Sequence, residues 1–353
     1  MECRELESIP YEIDLDAVVK VIEERSARRV VIQLPDGIKQ YSPMLSLCIK
    51  RRLGGAIEVY VSGEGSYGAC DLDLDVLENT IKPDLIVHVG HTPYPPWLCS
   101  LSTRGRVEKA SVVYVPAYSR VDFSERAVEE ALEILRSYNA KRVGLVAPLQ
   151  HVSRLSKLAL QIERRGLEPS IPKGLPPYLL DGQVIGCEYR VATSIDVDAY
   201  LYLGGGLFHP LGLYLVARKP VVKIDPHEDR VMDVTPLGVK YLRIRLFKVQ
   251  QAIAAKRWAI VVGLKTCQYR DWLVESLKKL LEDSGREYVL VATSVLTLER
   301  IADIDSSWIE AFVVTSCPRL PIDDLWEYHK PVLTPGEARM ALAGTLEDYR
   351  AFW

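Results

Sequence analysis

The chain of 353 residues lacks any apolar run approaching the roughly 18 consecutive residues that a membrane-spanning helix needs, so no membrane partner is expected. It also lacks a basic block beyond short clusters such as Lys50-Arg51-Arg52, and 44 basic against 47 acidic side chains leave a net charge of −3. Nucleic acid is therefore not expected as a main partner, because phosphate binding needs a concentrated basic face. The first residues, Met1-Glu2-Cys3-Arg4-Glu5-Leu6-Glu7, carry neither an apolar core segment nor an Arg-rich amphipathic pattern. This speaks against a signal or transit peptide and for a cytoplasmic location. Close C-x-x-C and H-x-H pairs are absent, and with them the usual zinc spacings. The seven cysteines are odd in number and widely spaced, so no disulfide framework is expected and all should be reduced in the cytosol.

What remains is an ordinary globular composition, 48% apolar and 26% charged. At roughly 150 residues per domain the length suggests two or three domains. Internal repetition decides for three. Ala27-Arg28-Arg29-Val30-Val31-Ile32-Gln33-Leu34-Pro35, Ala140-Lys141-Arg142-Val143-Gly144-Leu145-Val146-Ala147-Pro148 and Ala255-Lys256-Arg257-Trp258-Ala259-Ile260-Val261-Val262-Gly263 each join a basic pair to an apolar strand and a turn. Helical periodicity precedes each: Leu15, Val18, Val19 and Ile22; Ala127, Ala131, Ile134 and Leu135; Phe247, Val249, Ala252 and Ile253. Two further strands recur in step, beginning at Asp84, Asp198 and Glu310 and then at Ser111, Lys219 and Lys330. The pattern predicts an α/β protein of three similar small domains, residues 1–120, 121–245 and 246–353. Each is a mainly parallel sheet flanked by helices, with the strand-end loops aimed at one central site.

The stretch Gly63-Glu64-Gly65-Ser66-Tyr67-Gly68 fits a dinucleotide fingerprint after a strand. Asp71, Asp73 and Asp75 follow it, however, and three carboxylates in a first helical turn would repel a pyrophosphate. Asp84, the candidate ribose acid, precedes its strand instead of ending it. The other end of the loop offers Cys70. Cys187 occupies the corresponding stretch of the second repeat, and Cys317 ends the second recurring strand of the third, before Pro318. Each repeat thus has one loop cysteine at a strand end. Three thiolates converging on one point suit a 4Fe-4S cluster with one iron left open for a substrate. Cys48 and Cys99 read as small buried hydrophobes, Cys3 as a mobile terminal residue, and Cys267 as a competitor close to the site.

Gly204-Gly205-Gly206 end another strand and can offer amides to an anion, with His209 beyond them as a possible ligand contact. Gln268 and Arg270 are further candidates to hold a carboxylate. His88, inside an apolar strand, reads as a hydrogen-bonded core residue, and His91 at the strand end as facing the cleft.

Taken together, Gln33-Leu34-Pro35-Asp36-Gly37, Ser66-Tyr67-Gly68-Ala69-Cys70-Asp71, His88-Val89-Gly90-His91, Gly204-Gly205-Gly206-Leu207-Phe208-His209-Pro210-Leu211-Gly212 and Ser316-Cys317-Pro318-Arg319 with Asp323-Asp324 resemble the first-step enzymes of diphthamide synthesis, the 2-(3-amino-3-carboxypropyl)histidine synthases, in their archaeal single-chain form. The resemblance covers nearly the whole chain. It implies that Cys70, Cys187 and Cys317 ligate a 4Fe-4S cluster. It further implies a homodimer that takes S-adenosylmethionine as co-substrate and acts on a histidine of translation elongation factor 2. Glu64, where an aspartate is expected, and Cys267, in a segment usually containing glycine, depart from the family pattern. Two other readings stand beside this one: a quinolinate synthase-like enzyme using its cluster as a Lewis acid, and a non-catalytic electron-transfer subunit.

Overall fold

The recurrent apolar runs become strands buried on both faces, as parallel sheets covered by helices require. The computed structural model describes residues 3, 6, 8–55, 57–72, 77, 79–99 and 111–353. Asp73 and Asp75 of the glycine-rich loop, and Met1, Glu2, Arg4, Glu5 and Glu7, lie outside the described residues.

The first sheet contains β1 (Arg29–Gln33), β2 (Glu58–Val61), β3 (Leu85–Val89) and β4 (Ser111–Val115), all parallel in the order β2-β1-β3-β4. The second contains β5 (Arg142–Val146), β6 (Glu168–Ser170), β7 (Ala199–Leu203), β8 (Val221–Asp225) and β9 (Arg230–Asp233), ordered β6-β5-β7-β8-β9, with β9 antiparallel to β8. The third contains β10 (Arg257–Gly263), β11 (Glu287–Thr293), β12 (Ala311–Val314) and β13 (Val332–Leu333), ordered β11-β10-β12-β13 and again parallel. The order of the four parallel strands is the same three times, and so is the register: Val30 pairs Leu85, Val143 pairs Ala199 and Trp258 pairs Ala311. The edge strands β6 and β11 and the antiparallel strand β9 were not among the expected elements.

One interaction explains why each repeat joins a basic pair to a later acid. Asp84 Oδ2 accepts from the amides of Arg28 and Arg29, both at 2.8 Å. Asp198 Oδ2 does the same for Lys141 and Arg142 at 2.9 and 2.8 Å, and Glu310 Oε2 for Lys256 and Arg257 at 2.6 and 3.1 Å. The carboxylate thus caps the start of the neighbouring strand, and Asp84 is an element of the scaffold, not a ribose acid. These amides, with the Arg142 guanidinium, hold the Asp198 carboxyl down to about 2.

The helices Leu15–Glu24 and Glu125–Ser137 bury the expected faces, through Val18, Val19 and Ile22 and through Ala127, Ala131 and Leu135. Asp14 and Ser124 cap them by accepting from the amides three residues on. Helix Thr235–Ile253 buries Val249 and Ala252 but leaves Phe247 exposed, and position 245 falls inside it. Among the described residues no helix is long and apolar enough to cross a membrane.

Candidate functional site

The three expected cysteines stand on loops at the carboxyl ends of strands, where open parallel sheets bind ligands. Cys70 follows β2; Cys187 lies between β6 and β7, four residues beyond Gln183, which bridges to Ala147 at the end of β5; Cys317 follows β12. All three are free and half-buried, and they lie within electrostatic reach of one another. Burial pushes the Cys187 thiol up to about 12, and Cys317 adds to the effect, whereas the Tyr94 hydroxyl and Arg270 oppose it. Cys70 is raised by burial and then by Cys317 and Cys187, and Cys317 is raised by burial.

Six successive residues after β10 organise these loops. Lys265 pairs with Asp71 beside Cys70, and Thr266 Oγ1 donates to Leu72 O at 3.1 Å. Cys267 is disulfide-bonded to Cys99, with 4.6 Å between the Cα atoms. Gln268 Nε2 lies 3.9 Å from Cys70 Sγ, the side chain of Tyr269 packs against the core of the third sheet, and Arg270 reaches back to Leu98. The disulfide corrects the expectation of seven reduced thiols and of Cys99 as a simple hydrophobe. The two cysteines are 168 residues apart in sequence, and only the docking of the turns at residues 96–99 and 265–268 brings them within bridging distance. Cys267 is therefore near the site but committed to Cys99. Cys3 is half-buried and lines a cavity with Leu6 and Ile9.

Arg270 also departs from expectation. It is 1% exposed, and its guanidinium donates to Leu98 O (2.8 Å), Thr315 O (3.0 Å), Ser316 O and Tyr94 Oη (2.9 Å). Each of its three nitrogens thus donates within the protein, and at 1% exposure the side chain is turned inward and presents no open face to a substrate carboxylate. Gly204 is likewise spent, since its amide donates to Ile224 O at 2.9 Å. Its φ of +155° and the side chain of Pro148, 2.9 Å from where a Cβ would stand, leave room only for glycine. Gly205 approaches Asp225, Gly206 takes a φ of +68°, and His209 is the second residue of helix Phe208–Ala217. Gly205 and His209 share a cavity of about 270 Å³ with Gln150, His151 and Tyr202. Burial, with the positive charge of Arg319 second, lowers His209 to about 4.

A buried polar chain supports the Cys70 loop. Gln33 Nε2 donates to Asp71 O at 2.8 Å, so its Oε1 accepts from His88 Nδ1 at 3.0 Å. His88 Nε2 then accepts from His91 Nδ1 at 2.8 Å, which leaves Nε2 of neutral His91 without a proton. His91 is lowered to about 4 by burial and by His209. His88 is thus the hydrogen-bonded core residue expected, and His91 adjoins His209.

Tyr94 and Trp353 were not anticipated. Tyr94 Oη lies 3.4 Å from Cys187 Sγ, and Trp353 Nε1 donates to Cys187 O at 3.0 Å. The proline-flanked position of Tyr94 beyond a strand end is a local signal that could have singled it out. Nothing local marks Trp353.

Three thiols from three repeats, with hydroxyl and amide donors turned towards sulfur, suit thiolate ligation of an iron–sulfur cluster. Among the described residues no three histidine, cysteine or acidic side chains stand close enough to bind a single metal ion. A cubane spaces its ligands more widely than one ion does.

The sequence model of a family described as putative diphthamide synthesis proteins matches residues 34–350. The 2-(3-amino-3-carboxypropyl)histidine synthase of Pyrococcus horikoshii is 32% identical to this chain, over 96% of it and 92% of the relative. Subunit 1 of the Homo sapiens synthase is 27% identical over 94% of this chain and 72% of its own length. The crystal structure of Dph2 from Pyrococcus horikoshii with a 4Fe-4S cluster superposes with a TM-score of 0.80 at 29% identity, covering 97% of this chain and 93% of that one.

Proposed function

Since the chain belongs to the diphthamide synthesis family and is a transferase of that family, we propose that it moves the 3-amino-3-carboxypropyl group of S-adenosylmethionine to C2 of a histidine in translation elongation factor 2. The observation that carries this reading is the set Cys70, Cys187 and Cys317, one free thiol from each repeat, in a chain similar to a relative crystallised with a 4Fe-4S cluster. These three would hold the cluster. When bound, the cluster would supply one electron for cleavage of the bond from the sulfonium sulfur to the methionine γ-carbon, giving methylthioadenosine and a 3-amino-3-carboxypropyl radical; as that radical adds to imidazole C2, the C2 hydrogen leaves as a proton and the electron is given back, so the transfer is redox-neutral overall.

The chain's own residues orient and enclose. Tyr94 Oη donates to Cys187 sulfur once that is a thiolate, and Trp353 fixes the backbone of the same residue. The chain from Gln33 to His91 fixes the loop of Cys70. With Gly204 and Arg270 spent, the amides of Gly205 and Gly206 and the side chain of Gln268 are the donors left for the methionine carboxylate, and His209 stands beside them. Neutral His91 and His209 add no charge to repel the sulfonium. The family resemblance also supports a homodimer working in the cytoplasm.

Anaerobic reconstitution with iron and sulfide should give a brown chain whose visible absorption is lost in Cys70→Ala, Cys187→Ala and Cys317→Ala. Dithionite, S-adenosylmethionine and elongation factor should then yield methylthioadenosine and a modified histidine. A colourless reconstituted wild type, or 5′-deoxyadenosine as the product, overturns the proposal. A quinolinate synthase-like enzyme would leave S-adenosylmethionine unconsumed, and product from the purified chain alone excludes a mere electron-transfer subunit.

A further inference from the structure

A guanidinium buried to 1% exposure is costly unless it is both hydrogen-bonded and balanced by negative charge. Arg270 meets only the first condition. Its acceptors are carbonyls and the Tyr94 hydroxyl, and the Trp353 ring lies 4.4 Å from it; among the described residues it joins no ion pair.

One intervening group connects Arg270 to each cysteine. Towards Cys187 it is Tyr94, which accepts from Arg270 at 2.9 Å and stands 3.4 Å from the sulfur. Towards Cys70 it is Gln268, whose carbonyl accepts from Arg270 at 3.5 Å and whose amide lies 3.9 Å from that sulfur. Towards Cys317 it is the Ser316 carbonyl, one residue away. The three loops come from three sheets, and this side chain is common to them.

We propose that Arg270 is the positioning residue of the cluster site: its buried guanidinium offsets part of the negative charge of the three thiolates, fixes their spacing and holds the cluster's midpoint potential up. The inference rests on the cluster assignment above. A cation beside a site that gains an electron favours the reduced form, and donors to the ligating sulfurs act in the same sense.

The test is anaerobic reconstitution of wild type, Arg270→Gln, Arg270→Lys and Tyr94→Phe with iron and sulfide, followed by iron analysis and a reductive titration read by electron paramagnetic resonance. Arg270→Gln should move the midpoint to more negative potential, Arg270→Lys should bring it back towards wild type, and Tyr94→Phe should move it in the same direction by less. A loaded Arg270→Gln or Tyr94→Phe protein with the wild-type midpoint overturns the proposal, since a purely structural role lowers iron content without moving the potential of the sites that remain. If Arg270→Gln does not fold, the Tyr94→Phe midpoint decides alone. A wild type that takes up no iron overturns the cluster assignment itself, an outcome distinct from loaded variants with unshifted midpoints.

Discussion

Replacing Lys265 by methionine should loosen the loop of Cys70 without unfolding the chain. Lys265 comes from the third repeat and Asp71 from the first, and their side chains are 11% and 2% exposed. Removing the ammonium group strands a carboxylate that keeps only the Tyr67 amide, at 3.1 Å, as a described donor. Breaking a buried pair in this way costs about 3–5 kcal/mol. Because every 1.4 kcal/mol is about tenfold, the closed state of the loop should lose a factor of roughly 10²–10⁴ relative to open states. The bond from Thr266 to Leu72 O and the Cys99–Cys267 bridge persist, so the effect should be local. Hydrogen exchange reads it directly: protection of the Tyr67 amide should fall by about that factor, while amides in the buried strands β3 and β7 stay as in wild type. Iron uptake should fall in parallel. Adding Asp71→Asn removes the stranded charge and should restore most of the protection. Wild-type exchange at Tyr67 in Lys265→Met, or a double variant no better than the single one, would refute the reasoning.

Arg245 and Glu337 are both 0% exposed; Arg245 also donates to Pro321 O (2.6 Å) and Val332 O (2.7 Å), and Tyr349 Oη to Glu337 at 2.6 Å. Arg245→Met should lower stability by about 3–5 kcal/mol in urea denaturation, and Arg245→Met/Glu337→Gln by clearly less than the sum of the single variants. His151, 3% exposed, is lowered to about 4 by burial first and then by His227, with Asp225 opposing and Arg154 adding. Its folded pKa lies below the unfolded value near 6.5, so its contribution is complete above that pH and is lost as pH falls towards 4, up to about 3 kcal/mol. His151→Gln should flatten the stability profile across that window, as measured by denaturant midpoints at a series of pH values. Thiol titration of the denatured apoprotein should count five groups without reductant and seven after reduction, because two of the seven cysteines are paired; seven without reductant would contradict the Cys99–Cys267 bridge.

Much of the architecture was legible because it is local or repeated. Strands buried on both faces leave continuous apolar runs, helices leave a period of 3.6, and a motif written three times reveals its unit. The basic pair and the later acid in each repeat could be aligned by eye, although their purpose, two amides capped by one carboxylate, needed the strand register. The loops of Cys70, Cys187 and Cys317 followed from the same alignment. Strand β11 was missed because an edge strand lacks the continuous burial of its neighbours, and its exposed Leu290 obscures any alternation.

The chain order of residues therefore decided which segments are strands, how they repeat and which cysteines end them. What Arg270, Lys265, Cys267 and Trp353 do was decided only when the three sheets docked. Arg270 looked like a donor for a ligand carboxylate, and the tertiary structure instead turns it inward onto Leu98, Thr315 and Ser316; Cys267 looked like a spare thiol and meets Cys99. Their partners lie tens to nearly two hundred residues away along the chain. Hydrophobic periodicity reports only whether a side chain faces the core, whereas the charge balance and hydrogen bonding of a buried polar group depend on which distant backbone is folded against it.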